Sequence, residues 1–142
     1  MKVTKRFKWI MGHRLTFHKG GCYNPHGHNY ECKITIEGEV DRNGILMDFS
    51  ELKEVFNKVV YEPLDHSFMV YEKDNFSYLL KKWDEDENRP FKWIEVSFET
   101  TAENIAIYLF ELFKNHIDTG GRKVTRVKIY ETPASEAVYY GK

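Results

Sequence analysis

The sequence predicts an α+β domain: an antiparallel sheet with helices packed on one face. Three observations predict it. Apolar and polar residues alternate over 2–14 and 28–38 and again over 124–131, the period of a half-buried strand. Apolar residues recur at helical spacing from Phe49 to Val60 and from Ala102 to Phe113, each run behind a capping signal. The first two strands are hairpin-like neighbours, as are the last two.

The elements follow in order. In residues 2–14, Val3, Phe7, Trp9 and Met11 share one parity, with Lys5 the exception, and His13 continues it. Residues 15–25, with Gly20, Gly21, Asn24 and Pro25, read as a loop. The second strand takes 28–38, and Asp41-Arg42-Asn43-Gly44 signals a turn. Asp48 reads as an N-cap with Glu51 as its capping-box partner. A loop then carries Pro63-Leu64-Asp65-His66. Residues 71–92 are the least regular part: 75–83 suits a short helix and Asp84-Glu85-Asp86-Glu87 a solvated acidic tip. Trp93 to Phe98 alternates like a strand. Thr100 or Thr101 caps the second long helix, with Glu103 placed for a capping box with Thr100. Gly120-Gly121 breaks the chain before strands at 124–131 and 137–140.

The chain of 142 residues fits one domain over 1–142, with residues 71–92 as an insertion. Composition is 42% hydrophobic and 30% charged, with a formal net charge of −1, which is ordinary for a globular domain. Acids and bases are interspersed, so no basic stripe points to nucleic acid and no strong field to a membrane surface. No apolar run reaches the length of a membrane span, and the N-terminus lacks the apolar core of a signal peptide. Two cysteines ten residues apart make no disulfide framework and suit a reduced, cytoplasmic setting.

The residues with chemistry cluster in Cys22-Tyr23-Asn24-Pro25-His26-Gly27-His28-Asn29. His26 and His28 stand two apart and enter the second strand in phase with Cys32, Ile34 and Ile36, so both imidazoles leave on one face. His13 shares that type of face on the first strand. Three imidazoles with no evident fourth ligand suit zinc with an open position, although iron, nickel and copper also accept imidazole. Cys22 has four readings: fourth ligand, nucleophile, base or inert small residue. Near a cation its thiol pKa should fall. Cys32 reads as a buried hydrophobe. Asp65-His66 is either a proton-exchanging pair or a loop with a capping Asp. Glu131, in phase with Val127 and Ile129, either turns to solvent or accepts hydrogen bonds from a ligand. His18 and His116 read as surface residues.

Together these stretches resemble the 6-pyruvoyltetrahydropterin synthase / 6-carboxytetrahydropterin synthase family. The resemblance runs through Gly12-His13-Arg14-Leu15, Cys22 to Asn29, Gly44-Ile45-Leu46-Met47-Asp48-Phe49, Leu64-Asp65-His66, Thr101-Ala102-Glu103-Asn104-Ile105-Ala106 and Tyr130-Glu131-Thr132. It implies the tunnelling (T-) fold, with a four-stranded antiparallel sheet and two helices on one face. It implies a homo-oligomer, a trimer or hexamer, with active sites at subunit interfaces. By position, His13, His26 and His28 match the zinc ligands, Cys22 the catalytic cysteine, and Asp65 and His66 the second acid–base pair. Glu131 matches the acid that anchors the pterin, and Thr100-Thr101 a pterin-contacting turn. The implied activity is a zinc-dependent lyase acting on 7,8-dihydroneopterin triphosphate. Three residues separate Cys22 from His26, a gap that resembles the bacterial 6-carboxytetrahydropterin synthases of the queuosine (7-deazaguanine) route. Cys22 itself differs from a variant subfamily that carries Glu there. Thr100, where the bacterial enzymes usually have Pro, resembles the animal 6-pyruvoyl type.

Overall fold

The computed structural model describes residues 1–86 and 91–142. Its spine is a hairpin of two long strands, β1 (Lys2–His13) and β2 (His26–Gly38). They pair antiparallel from Lys2↔Glu37 to His13↔His26. The predicted parity holds along β1: Phe7, Trp9, Met11 and His13 are buried while their neighbours are more exposed. A 3₁₀ turn, Gly21–Tyr23, lies in the loop that joins the two strands.

After β2 comes a turn at Asp41–Gly44, where Gly44 adopts φ +82°, a left-handed conformation that glycine takes without strain. Helix α1 (Phe49–Phe56) starts at Asp48, whose carboxylate accepts the Ser50 N–H at 2.8 Å. Glu51 closes no capping box; it binds the Arg122 guanidinium instead. The helix runs on through a π-helical turn, Asn57–Tyr61, into the short α2 (Glu62–Leu64). Pro63 sits in its first turn, where the missing N–H costs little.

The expected four-stranded antiparallel sheet is one part of a larger, mixed one. Strand β3 (Ser67–Tyr71), helix α3 (Asn75–Asp86) and strand β4 (Trp93–Val96) follow α2. Helix α4 (Ala102–Ile117), β5 (Arg122–Thr132) and β6 (Ser135–Tyr139) complete the chain. The sheet has six strands in the order β4-β3-β1-β2-β5-β6. Pairs β1–β2, β2–β5 and β5–β6 are antiparallel, as expected, but β1–β3 and β3–β4 are parallel. Parallel neighbours need a crossover rather than a tight turn, and α3 is the crossover between β3 and β4. Strand β3 escaped the sequence reading because five residues beside Asp65-His66 carry no clean alternation: Ser67, Met69 and Val70 are all buried. The acidic run from Asp84 to Asp86 is helical, and Glu87 lies outside the described residues.

The two expected helices do share one face of the sheet, and a third, α3, lies on the other. Helices α1 and α4 cover the apolar face, where Phe56 stacks on Phe7 at 4.2 Å and Ile105, Leu109 and Phe113 meet Ile34, Val127 and Ile129 in one core. Full burial of each such side chain contributes about 1.5–3 kcal/mol. Helix α3 covers the other face at the parallel end. Its Phe76 stacks on Phe68, whose neighbour Met69 points into the core. Its Ser77 and Lys81 bind Glu95, whose neighbour Val96 is also core. Successive strand residues face opposite ways, so α3 lies opposite α1 and α4. Gly12 belongs to this packing: a Cβ there would come within 2.9 Å of the Phe68 ring. Among the described residues, no helix is long and apolar enough to cross a membrane.

Candidate active site

At the upper end of the β1–β2 hairpin, the register pairs His13 with His26 and puts His28 beside Met11. The alternation of both strands then turns three imidazoles to one side. Their rings stand 4.7–5.1 Å apart, and one ligand atom from each lies within 4.8 Å of the others. Their Nε2 atoms are buried and, among the described residues, have no hydrogen-bond partner. A buried lone pair without a partner is costly, and a metal ion bound by all three removes that cost.

Backbone carbonyls select the tautomer. His13 Nδ1 lies 2.7 Å from the Thr100 carbonyl oxygen, and His26 Nδ1 lies 2.7 Å from that of Asn24. A carbonyl only accepts, so each Nδ1 carries the proton and each Nε2 keeps its lone pair, the arrangement of metal-binding histidines. Burial reinforces it. His13 is pushed down to about 4, by burial first and by the neighbouring His26 and His28 charges as well. His28 is lowered by burial and then by His26. Near neutrality both rings are uncharged, the form that binds metal.

Glu131 at the end of β5 reaches the same space. Its carboxylate oxygens lie 3.7 Å from His13 Nε2 and 3.8 Å from His28 Nε2. With neutral imidazoles these contacts are not ion pairs. Burial raises the Glu131 pKa, His26 pulls it back, and Glu103 adds to the rise. The Glu131 carboxylate is half-buried and faces the triad instead of turning out to solvent.

Cys22 sits in the 3₁₀ turn, half-buried and unpaired in any disulfide, and is not one of the three clustered ligands. Its position is near enough to Tyr30 to bear on it: burial, then the Glu131 and Cys22 charges, raise the phenol pKa. Cys32 is fully buried, and burial raises its thiol too.

Asp65 and His66 stand apart. Asp65 Oδ2 accepts from His66 Nδ1 at 2.7 Å while Oδ1 accepts the Ile10 N–H at 2.9 Å. The His66 N–H in turn donates to the Ile10 carbonyl at 2.7 Å. These bonds hold His66 at φ +60°, a conformation uncommon for a residue with a side chain. Its imidazole is 72% exposed and, among the described residues, shares no hydrogen bond with the triad or Cys22.

The two threonines divide their work. Thr101 caps α4 by accepting the Asn104 N–H. Thr100, expected at a pterin-contacting turn, is fully buried; its hydroxyl donates to the Arg14 carbonyl at 3.1 Å and its own carbonyl holds His13. Its place is behind the His13 ring. Sequence reasoning missed Tyr30, whose buried hydroxyl has no partner among the described residues and whose ring lies 5.4 Å from that of His28. Its parity with His28 and Cys32 was a usable signal.

The sequence pattern of the 6-pyruvoyl tetrahydropterin synthase family matches residues 2–142. The chain belongs to that family. A 6-carboxy-5,6,7,8-tetrahydropterin synthase of Haemophilus influenzae is 33% identical, with 97% of each chain covered. The human 6-pyruvoyl tetrahydrobiopterin synthase is 27% identical over 99% of this chain and 91% of its own. Among solved structures, the 6-pyruvoyl tetrahydropterin synthase of Caenorhabditis elegans superposes with a TM-score of 0.71 at 26% identity, covering 100% of this chain and 96% of its own. An uncharacterized Wolinella succinogenes protein superposes with a TM-score of 0.86 at 25% identity, covering 100% and 98%. The family is one of enzymes, and its Caenorhabditis elegans member shares this chain's fold over its full length.

Proposed function

We propose that this chain converts 7,8-dihydroneopterin triphosphate to 6-carboxy-5,6,7,8-tetrahydropterin, releasing acetaldehyde and triphosphate, as a step toward 7-deazaguanines such as queuosine. The observation that carries this reading is the convergence of three unpartnered Nε2 atoms under one carboxylate, Glu131. An all-imidazole set of three fits zinc with an open position. When bound, zinc supplies Lewis acidity at the oxygens of the pterin side chain.

The chain's own groups do the rest. Glu131 accepts hydrogen bonds from the flat N–H edge of the pterin and so fixes its orientation. Cys22, as thiolate, takes a proton from the side chain. His66, held by Asp65, returns or relays one. Within one chain, among the described residues, this pair shares no hydrogen bond with the triad, and His66 is largely exposed. A proton donor must come within hydrogen-bond reach, so a second copy brings its own Asp65-His66 to the site. The two outer strands, β4 and β6, offer free edges for such assembly. The protein is accordingly a homo-oligomer, a trimer or hexamer, with sites between subunits.

The carboxy product is favoured by the Haemophilus influenzae relative and by the short gap from Cys22 to His26. Thr100 and the human relative favour a second reading, a 6-pyruvoyl product. Mass spectrometry of products from zinc-loaded protein and 7,8-dihydroneopterin triphosphate decides. A 6-carboxytetrahydropterin with acetaldehyde supports the first reading, and a 6-pyruvoyl product the second. No turnover with zinc bound would leave a pterin- or zinc-binding protein.

A further inference from the structure

The loop that carries Cys22 crosses the end of the sheet, and its reverse side is gripped. Arg14 follows His13, so its side chain leaves on the opposite face, the face covered by α3. There Asp74, with a side chain only 1% exposed, receives Arg14 as a fork: Nε at 2.8 Å from Oδ2 and one terminal nitrogen at 2.7 Å from Oδ1. The guanidinium carbon lies 4.7 Å from the centre of the Tyr23 ring and 4.6 Å from that of Phe76. Its other terminal nitrogen lies 3.4 Å from the Tyr23 carbonyl oxygen. Tyr23 is the residue after Cys22, and the Cys22 carbonyl accepts the Leu15 N–H at 2.8 Å. Asp74 is fixed in turn, since its carboxylate also accepts the Phe76 N–H at 2.9 Å at the start of α3.

We propose that Asp74 is a positioning residue that, through Arg14 and Tyr23, sets the place of the Cys22 thiol in the loop between the two strands that carry the triad. This assigns the segment from Asp74 to Phe76 a role in the reaction besides its place in the crossover. It rests on the reading of Cys22 as the group that takes the proton. The chemistry suits the task. A bidentate guanidinium–carboxylate pair fixes angle as well as distance, and two aromatic rings close to the cation hold it further. Burial by itself would raise the Asp74 pKa, but the Arg14 fork and the Phe76 N–H outweigh it and hold the carboxyl below its usual value. The pair therefore stays ionised across the working pH range.

The test compares wild type with Asp74→Asn and Arg14→Lys, which disturb the fork, and with Phe76→Leu, which keeps it and removes one ring. Zinc content, kcat and KM for 7,8-dihydroneopterin triphosphate, and the alkylation rate of Cys22 by iodoacetamide are measured, with Cys22→Ala as the blank. Zinc content should stay at the wild-type level and KM within about 3-fold, while kcat falls on the order of 10- to 100-fold, the cost of a misplaced reacting group. The alkylation rate should change several-fold in the same variants, with Phe76→Leu showing a smaller effect in the same direction. Unchanged kcat and alkylation in folded, zinc-loaded Asp74→Asn overturn the proposal. So does loss of zinc in step with activity, because the clamp would then hold the whole sheet end. If the wild type turns over no pterin, the functional reading fails and the alkylation rates alone decide the clamp. If Asp74→Asn and Arg14→Lys do not fold, Phe76→Leu carries the comparison.

Discussion

The His13 ring and the Thr100 carbonyl oxygen, 87 residues apart in sequence, meet at 2.7 Å. That bond readies a histidine at the end of a strand for a metal ion, because it settles the proton on Nδ1 and leaves the Nε2 lone pair facing His26 and His28. All three donors are then needed for tight binding. His26→Ala leaves two imidazoles, and the protein as purified should carry little or no zinc by elemental analysis. A fully metallated His26→Ala variant would remove His26 from the ligand set.

The same burial makes the metal-free protein acid-sensitive. The His13 pKa is lowered from 6.5 to about 4 in the folded state, so between these values the unfolded chain binds more protons than the folded one. Stability then rises with pH across that window and is lost as pH falls through it. The melting temperature of the zinc-free protein should drop steadily from pH 6.5 to pH 4, and His13→Gln should flatten this part of the profile. A melting curve in wild type that is level across this range would show that His13 is not held neutral by the fold.

Cys22 and Asp65 should separate chemistry from metal binding. Cys22→Ala should fold, keep its zinc and lose turnover, and normal turnover would take the thiol out of the mechanism. Asp65→Asn should also keep zinc but lower kcat roughly 10²- to 10⁴-fold, the usual worth of a positioned acid–base group. A wild-type rate in Asp65→Asn, measured by steady-state kinetics, would reduce the pair to a loop anchor on Ile10.

Stability is concentrated on the apolar face of the sheet. Phe56 is 3% exposed and stacks on Phe7, so Phe56→Ala removes a ring from a packed interior. The expected loss is about 3–5 kcal/mol, measurable by denaturant unfolding of the zinc-free protein. A loss under about 1 kcal/mol would mean that the core repacks around the gap.

Much of this was legible in the residues themselves. The two-residue period put Phe7, Trp9, Met11 and His13 on one face of β1, and the same period put His26 and His28 on one face of β2. Two strands with in-phase histidines near their joined ends can bring those rings together only if they pair as a hairpin, and they do. The polarity of Glu131 on an apolar strand marked it in the same way. The antiparallel half of the sheet and the long helices α1 and α4 followed from periodicity and caps, since these are local signals.

What the sequence by itself determined, then, was which side chains share a face and which of them can carry metal and proton chemistry. Only the tertiary structure decided the parallel addition of β3 and β4, the placing of α3 on the second face, and the partners that hold the site: Thr100 behind His13, Asp74 behind Arg14, Asp65 on Ile10. The reason is physical. Periodicity reports one element's exposure to water, whereas a crossover, a buried fork or a carbonyl 87 residues away depends on how separate elements dock, and no local pattern records that.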